Sequence, residues 1–189
     1  MKRLVIFFLV FIFIAGLSFA RGPEDKPKIL LLISEKDTNG ELINWWVDEA
    51  EFSTIEANLS KLLIDLNCQA IEVKTALNIV KKDKSFKTAN LAGNEAMRLG
   101  RALRADYVVK GAAFVSAGSN IYSASGRPFF ANAAVKLIRI KDGQVIADLD
   151  AVGSSVNMDT AIGGKEALSN AAVDLAAKII SNITKEGGK

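Results

Sequence analysis

The 189-residue sequence contains no histidine and only one cysteine, Cys68. Without histidine, the chain lacks the usual general base near neutral pH and the commonest protein ligand of metal ions. A Ser-His-Asp triad, a Cys-His pair and a histidine-liganded zinc site are therefore excluded. A lone cysteine cannot form a disulfide within the chain. The place of Cys68, between a helical segment and an apolar strand, favours a buried thiol over a reactive or intermolecular one.

Motifs that bind phosphate are also missing, since neither G-x-x-x-x-G-K-[ST] nor G-x-G-x-x-G occurs. Gly163 and Gly164, at the start of the last predicted helix, could offer free amides to an anion, but a plain first turn is the simpler interpretation. Four acidic residues gather near the first helix start: Asp48, Glu49, Glu51 and Glu56. They suit the helix dipole, and no second carboxylate cluster joins them as an acid–base pair. We predict no catalytic residue, cofactor or metal, and hence no enzyme.

The first twenty residues have the three regions of a secretory signal peptide. Lys2 and Arg3 supply positive charge, residues 4–15 form an unbroken apolar run, and Ser18 and Ala20 are the small residues that a signal peptidase reads. The run is shorter than the roughly 20 residues that a membrane-spanning helix needs. We expect cleavage after Ala20, with an uncleaved anchor as the alternative. Because no cysteine directly follows the run, no lipid anchor is expected.

Removal of the signal peptide would leave a domain of nearly neutral charge. The chain has 24 basic and 21 acidic residues, and two basic ones leave with the signal, so 22 against 21 give +1. This balance argues against a nucleic-acid partner, because binding phosphates needs clustered lysine and arginine. We expect a polar linker at 21–27, one α/β domain at 28–183 and a disordered tail at 184–189. The mature chain is expected in the periplasm without a membrane span.

Hydrophobic periodicity predicts five strands and three helices in the order β-α-β-α-β-β-β-α. The strands are expected near residues 28–34, 70–73, 105–115, 129–140 and 144–154. The helices are expected near residues 47–66, 89–103 and 164–182. This order is typical of an α/β (α+β) fold in which helices cover a single mixed β-sheet.

Local signals define several of these elements more closely. The first strand is a short continuous apolar run, which is typical of a strand buried on both faces. Ser53-Thr54-Ile55-Glu56 has the spacing of a capping box, and Asp142-Gly143 is a strong signal for a tight turn. Residues 35–44 are polar and predict a loop. Residues 74–88 carry a charge run and predict a solvated loop with a helical turn.

Three glycines inside predicted elements are interpreted as close contacts. Gly93 and Gly100 each cost roughly 1 kcal/mol relative to alanine in a helix interior, so we expect this helix to pack close to the sheet at both. Gly111 lies midway along an apolar strand. A side chain there would clash with a crossing helix or strain a bulge.

Two segments of the chain resemble a known group of envelope domains. The first reads Ala96…Leu99-Gly100…Leu103-x-Ala105-Asp106-Tyr107-Val108-Val109-x-Gly111. The second reads Val135-x-Leu137-Ile138-x-Ile140-x-Asp142-Gly143-x-Val145-Ile146-Ala147. Agreement continues at Ile33-Ser34-Glu35 and at Glu166-Ala167-Leu168. The pattern is similar to the amino-terminal domain of TolB, the curli secretion protein CsgG, the peptidoglycan-synthesis activator LpoB and the middle domain of the flagellar protein FlgT.

The resemblance spans roughly residues 28–182 and implies a TolB-amino-terminal or FlgT-middle-like fold without catalytic residues. Residues 116–128 are too short and polar for the membrane hairpins of CsgG, which need long segments of alternating character. The resemblance is therefore closer to the soluble modules than to the secretion pore. It implies an exported interaction module that supports assembly or regulation of a flagellar, curli-like secretion or peptidoglycan-synthesis complex.

The expected partner is an envelope protein, and a homo-oligomer is compatible with this interpretation. The alternative is a periplasmic domain that binds a small ligand or a glycan. Two places are candidate partner contacts. Trp45 and Trp46 precede the first helix, and adjacent residues there are expected to place one indole in the core and one exposed. The pair is either a partner contact or a staple that closes the sheet edge. The loop that begins at Ser119 ends in Phe129-Phe130, and such loops often carry binding function, although a mobile connector is the alternative.

Overall fold

The computed structural model describes residues 26–36, 41–44, 52–87, 91–119 and 126–187. Within these residues, six strands form one mixed sheet in the order β2-β1-β4-β5-β6, and β3 pairs with β1. The strands are β1 (Lys28–Lys36), β2 (Leu42–Asn44), β3 (Gln69–Ala70), β4 (Tyr107–Ala117), β5 (Arg127–Arg139) and β6 (Val145–Asn157). The helices are α1 (Thr54–Asp65), α2 (Val73–Val80), α3 (Gly93–Ala102) and α4 (Thr160–Gly187), with a 3₁₀ turn at Lys84–Lys87.

The sheet is mixed because β1 runs parallel to β3 and β4, whereas β2 is antiparallel to β1 and β5 is antiparallel to both β4 and β6. This arrangement confirms the predicted fold class of a single mixed sheet with helices packed on it. The predicted signal peptide and most of the predicted linker lie outside the described residues.

Strand β1 is buried on both faces, as its continuous apolar run predicts. Ile29, Leu31 and Ile33 pack in a core cluster with α1 and α4. Leu30 and Leu32 point to the opposite face and pack in a second cluster with α2 and α3. Because successive side chains of a strand alternate between faces, one apolar run supplies both cores.

The predicted capping box fixes the start of α1. The Ser53 hydroxyl accepts the Glu56 N–H at 3.4 Å, and Glu56 Oε2 accepts the Ser53 N–H at 3.1 Å. Phe52 and Ser53 are not helical, and the helix begins at Thr54. The predicted start near residue 47 is therefore wrong, since the reciprocal bonds of the box define the first turn.

The segment after α1 differs most from prediction. The expected strand at 70–73 shrinks to two residues in β3, and α2 begins at Val73. The expected loop at 74–88 contains this helix, whose residues Ala76, Leu77 and Val80 are buried in the second core cluster. Burial of that apolar stripe against the sheet outweighs the high polarity of the segment.

The expected loop at 35–44 is also partly strand. β1 continues to Lys36, and β2 pairs with it antiparallel through Glu35 and Asn44. The polar composition of this segment conceals β2 because a short edge strand needs little apolar surface.

Helix α4 is longer at both ends than predicted. It begins after Asp159, whose Oδ1 accepts the N–H groups of Ala161 and Ile162 at 2.8 and 3.0 Å. It continues to Gly187, so residues 184–187 are helical instead of part of a tail. The last turn is attached to the sheet by Arg139, which donates to Glu186 at 2.8 Å.

The glycine predictions have mixed outcomes. A Cβ atom on Gly100 would lie 2.6 Å from Ile140 Cδ1, which confirms close packing of α3 on the sheet. A Cβ on Gly93 would meet nothing within 4 Å, so the same expectation is wrong there. A Cβ on Gly111 would lie 2.1 Å from the Ala134 carbonyl oxygen. The close neighbour of Gly111 is therefore strand β5, not a crossing helix.

Replacing Gly111 by valine is expected to lower the free energy of unfolding by about 2–4 kcal/mol, because the side chain would force β4 away from β5. Chemical denaturation followed by circular dichroism measures this change. Gly93→Ala is the control, since its new methyl group would meet open space. Equal denaturation midpoints for Gly111→Val and the wild type would contradict the close strand contact.

Helix side chains cap backbone groups on both outer edges of the sheet. On β6, Asn170 Nδ2 and Lys178 Nζ of α4 donate to the carbonyl oxygens of Ser154 and Asp150 at 2.8 and 2.6 Å. On β1, Glu56 Oε1 accepts the Ile33 N–H at 2.7 Å. The α1 capping box therefore also satisfies the part of the β1 edge that lies between β3 and β2.

Candidate functional site

One half of a sheet face carries exposed apolar side chains. Phe114 lies on the same face as Val108, six residues earlier, and Phe130 on the same face as Ile138, eight residues later, because side chains alternate along a strand. The end of this face near Val108 and Ile138 is buried under the cluster that contains α2 and α3. At the other end the large apolar residues are exposed; they are Phe114, Phe130, Val152 and Val156. These four residues are called the open-face patch.

The strand register places Phe130 in the middle of the patch. Phe130 pairs with Ser116 on β4 and with Ser154 on β6. Two positions further along β5, Asn132 pairs with Phe114 on β4 and with Val152 on β6. An aromatic ring thus lies among apolar neighbours and small polar ones on rigid strands.

Charges border the patch on one side of the same face. Lys136 forms an ion pair with Asp148 across β5 and β6. Both side chains are exposed, so this pair contributes little to stability. The ion pair lies between the open-face patch and the covered end of the sheet.

Of the four residues predicted as partner contacts, the structure describes two. Phe130 is 43% exposed, whereas Phe129 is 0% exposed. The Phe129 ring fills the space beside Gly163, where a Cβ would lie 2.3 Å from the ring carbon Cδ2. Phe129 therefore lies in the core, and Phe130 is the one of the pair whose ring solvent reaches. Trp45 and Trp46 lie outside the described residues.

Gly163, near the start of α4, has a packing role. Gly163 and Gly164 are already inside the helix, and Asp159 accepts two of the first free amides. Gly163 makes room for Phe129. This arrangement gives Gly163 a packing role and gives two of the first amides of α4 a partner in Asp159.

Two buried carboxylates meet at the start of α1, and sequence reasoning identified only one of them. Glu56 was expected from the capping box, whereas Glu35, near the end of β1, belongs to no capping motif. Glu56 Oε1 accepts the Ile33 N–H at 2.7 Å, and Glu35 Oε1 accepts the Ile55 N–H at 3.0 Å. Asp48, Glu49 and Glu51 lie outside the described residues.

The single thiol is buried, as predicted, and burial raises the pKa of Cys68. In the described part of the chain, no group of three or more cysteine, aspartate or glutamate side chains could hold a metal ion. No helix among the described residues is long and apolar enough to cross a membrane.

No family model matches this chain, and no curated protein matches it. Solved structures do resemble it. The LpoB C-terminal domain from Salmonella enterica is 16% identical, with a TM-score of 0.44 over 76% of this chain and 93% of that one. A PelC dodecamer from Paraburkholderia phytofirmans is 16% identical, with a TM-score of 0.43 over 83% of this chain and 87% of that one.

TolB from Acinetobacter baumannii is 16% identical, with a TM-score of 0.42 over 88% of this chain and 30% of that one. LpoB and TolB, two of the proteins that the sequence motifs resemble, are thus among the similar solved structures.

Proposed function

We propose that this chain is an exported, non-enzymatic interaction module that binds an envelope protein through the open-face patch. The observation that carries the proposal is the exposed Phe130 ring in the middle of that patch, with Phe114 and Val152 beside it. Aromatic residues on rigid elements are enriched in the central, energetically dominant parts of interfaces. Clusters of exposed apolar side chains mark binding sites on otherwise polar domains.

Export supports an envelope location for the partner. The amino-terminal charge, the apolar run and the small residues Ser18 and Ala20 are those of a cleavable signal peptide. The motifs shared with TolB, CsgG, LpoB and FlgT support the same compartment. The module would thus assist assembly or regulation of a flagellar, curli-like secretion or peptidoglycan-synthesis complex from the periplasm.

The chemistry of the chain supports binding without catalysis. Histidine is absent from the whole sequence. The buried carboxylates Glu35 and Glu56 accept backbone N–H groups and connect α1 to β1. They therefore have a structural role, and the open-face patch offers apolar contact instead of reactive groups.

Trp45 and Trp46 remain proposed contacts in addition to Phe130. They follow β2, whose last residue Asn44 pairs with Glu35 at the end of β1. Phe114 of β4 pairs with Lys36, the residue of β1 that follows Glu35. Phe129, the fourth predicted contact, points to the opposite face of β5. It supports the site by packing β5 against α4.

Replacing Phe130 by serine is expected to weaken capture of the envelope partner by about tenfold or more, as loss of an interface anchor does. The measurement is a pull-down from envelope extract of the source cells with the immobilised mature domain, followed by mass spectrometry. Val145→Ser is the matched control because Val145 is also 43% exposed and lies at the opposite end of β6.

The unfolding midpoint of each variant is measured in parallel, so that lost capture is not confused with lost folding. Capture of the same proteins by the wild type and both serine variants would contradict the proposed patch. In that case Trp45→Ala and Trp46→Ala test the remaining proposed contacts.

A further inference from the structure

The outer face of α4 carries an exposed stripe of mostly apolar side chains. Ile162 and Val173 are 51% and 55% exposed, and Ala177 is also exposed. Ile162 and Val173 lie three helical turns apart, and Ala177 follows Val173 by one turn, so the three side chains share one face. Glu166, one turn after Ile162, lies on the same face and is exposed. These four residues are called the α4 stripe.

The inner face of α4 is the one that packs on the sheet of its own chain. Ala167, Ala171, Leu175 and Ile179 are buried there in the larger core cluster. The α4 stripe points the other way, and its exposure shows that no described residue buries it. An apolar helix stripe is buried when it meets the apolar face of another element. Helix α4 therefore has one packed face and one that is open to a further element.

The open-face patch has the dimensions of one helix. Its strands β4, β5 and β6 span about 10 Å, since neighbouring strands lie about 4.8 Å apart, and Val152 and Val156 lie about 14 Å apart along β6. A helix with its side chains is about 10 Å wide, and Ile162 and Val173 lie about 17 Å apart along α4. Helices α2 and α3 already cover the other half of this sheet face. One further helix on the patch would complete the layer.

Charges around the patch complement those of the α4 stripe. Lys36 of β1 and Lys110 of β4 lie on the same sheet face as the patch, and Asp150 lies on its β6 side. Within the described part of the chain, none of these three side chains belongs to an ion pair. Lys165 and Glu166 are adjacent on α4 and point about 100° apart. A helix whose Glu166 faces the two lysines therefore turns its Lys165 side towards Asp150.

We propose that the α4 stripe of one copy packs on the open-face patch of a second copy, so that the chain self-associates. The contact joins two different surfaces, and each copy offers both. Such a heterologous contact adds copies one after another until a ring closes or a stack forms. The contact is small against the roughly 800 Å² per partner of a stable complex. Self-association is therefore weak and depends on the protein concentration.

This inference does not depend on the proposed function, although both use the open-face patch. A second copy and an envelope partner compete for the same surface. Self-association therefore shields Phe130 until a partner with higher affinity displaces the second copy.

The test is sedimentation equilibrium of the mature chain between about 1 μM and 1 mM, the range in which weak contacts form. The average mass of the wild type is expected to rise with concentration beyond twice the monomer mass. Phe130→Ser disables the patch and Val173→Lys disables the stripe, so each variant alone is expected to stay monomeric. Ile64→Lys is the matched control for Val173→Lys, since Ile64 on α1 is 56% exposed, and it is expected to associate like the wild type.

A mixture of the two monomeric variants tests whether the contact joins different surfaces. Val173→Lys keeps an intact patch and Phe130→Ser keeps an intact stripe, so the mixture is expected to form one-to-one dimers that grow no further. Unfolding midpoints show that each variant is folded, and Phe114→Ser and Ile162→Lys are second variants of the two surfaces. A monomeric wild type, a monomeric mixture, or assembly of either variant alone would overturn the proposal.

The capture experiment distinguishes this inference from the proposed function. Val173→Lys is expected to capture the envelope partner as the wild type does, because Val173 lies outside the open-face patch. Capture by a wild type that stays monomeric would support the proposed function and overturn this inference. Self-association without capture would do the reverse.

Discussion

Replacing Phe129 by alanine is expected to lower the free energy of unfolding by about 3–5 kcal/mol, whereas Phe130→Ala changes it by less than about 1 kcal/mol. The two rings are neighbours in sequence but point to opposite faces of β5. Phe129 lies in the larger core cluster against α4, where its loss would leave a cavity. Phe130 is on the open-face patch, where its loss exposes no core.

Urea denaturation of both alanine variants, followed by circular dichroism, measures the difference. Each variant is the control of the other, since composition and strand position are nearly the same. Comparable losses of stability would mean that both rings belong to the core, and would remove the physical basis of the open-face patch. Retained stability in Phe129→Ala would contradict its packing beside Gly163.

Replacing Gly153 by alanine is expected to cost about 2–4 kcal/mol, because α4 crosses β6 in direct backbone contact there. A Cβ on Gly153 would lie 2.1 Å from the Ala167 carbonyl oxygen and 2.4 Å from the Ala171 nitrogen. Backbone atoms of a helix cannot rotate away as a flexible side chain can. The methyl group would therefore move the whole helix from the sheet.

Gly164→Ala is the control for this prediction, since its Cβ would meet Val115 Cγ1 at an ordinary 3.5 Å. The control is expected to leave stability unchanged or to raise it by up to about 1 kcal/mol, the helix preference for alanine over glycine. The thermal unfolding midpoint distinguishes the two variants. A Gly153→Ala midpoint equal to that of Gly164→Ala would show that α4 does not approach β6 so closely.

Features with a strong local signal could be predicted from the sequence. The apolar run of β1 predicted burial on two faces, and Ser53 and Glu56 predicted a capping box. Asp142-Gly143 predicted the turn between β5 and β6, where Gly143 has a φ of +75°. Each of these features depends on residues within a few positions of one another. Its physical cause can therefore be identified from the local sequence.

Features that depend on tertiary contact could not be predicted in this way. Helix α2 carries its apolar stripe within a highly charged segment, and only the sheet reveals that the stripe is buried. Glu35 reads as the polar end of a strand, yet it caps a helix that begins 19 positions later. The sequence around Gly153 gave no signal, because glycine is needed there only to let the backbone of α4 approach β6.

The side chains of α4 that cap β6 have a consequence for the behaviour of the chain in concentrated solution. An uncovered 13-residue edge strand is a template for fibril growth, in which each new chain adds one strand by backbone hydrogen bonding. Asn170 and Lys178 occupy carbonyl oxygens that such growth would need, and the Lys178 ammonium adds a charge that disfavours stacking. Helix α4 is therefore expected to disfavour strand addition at the β6 edge while the open-face patch stays exposed.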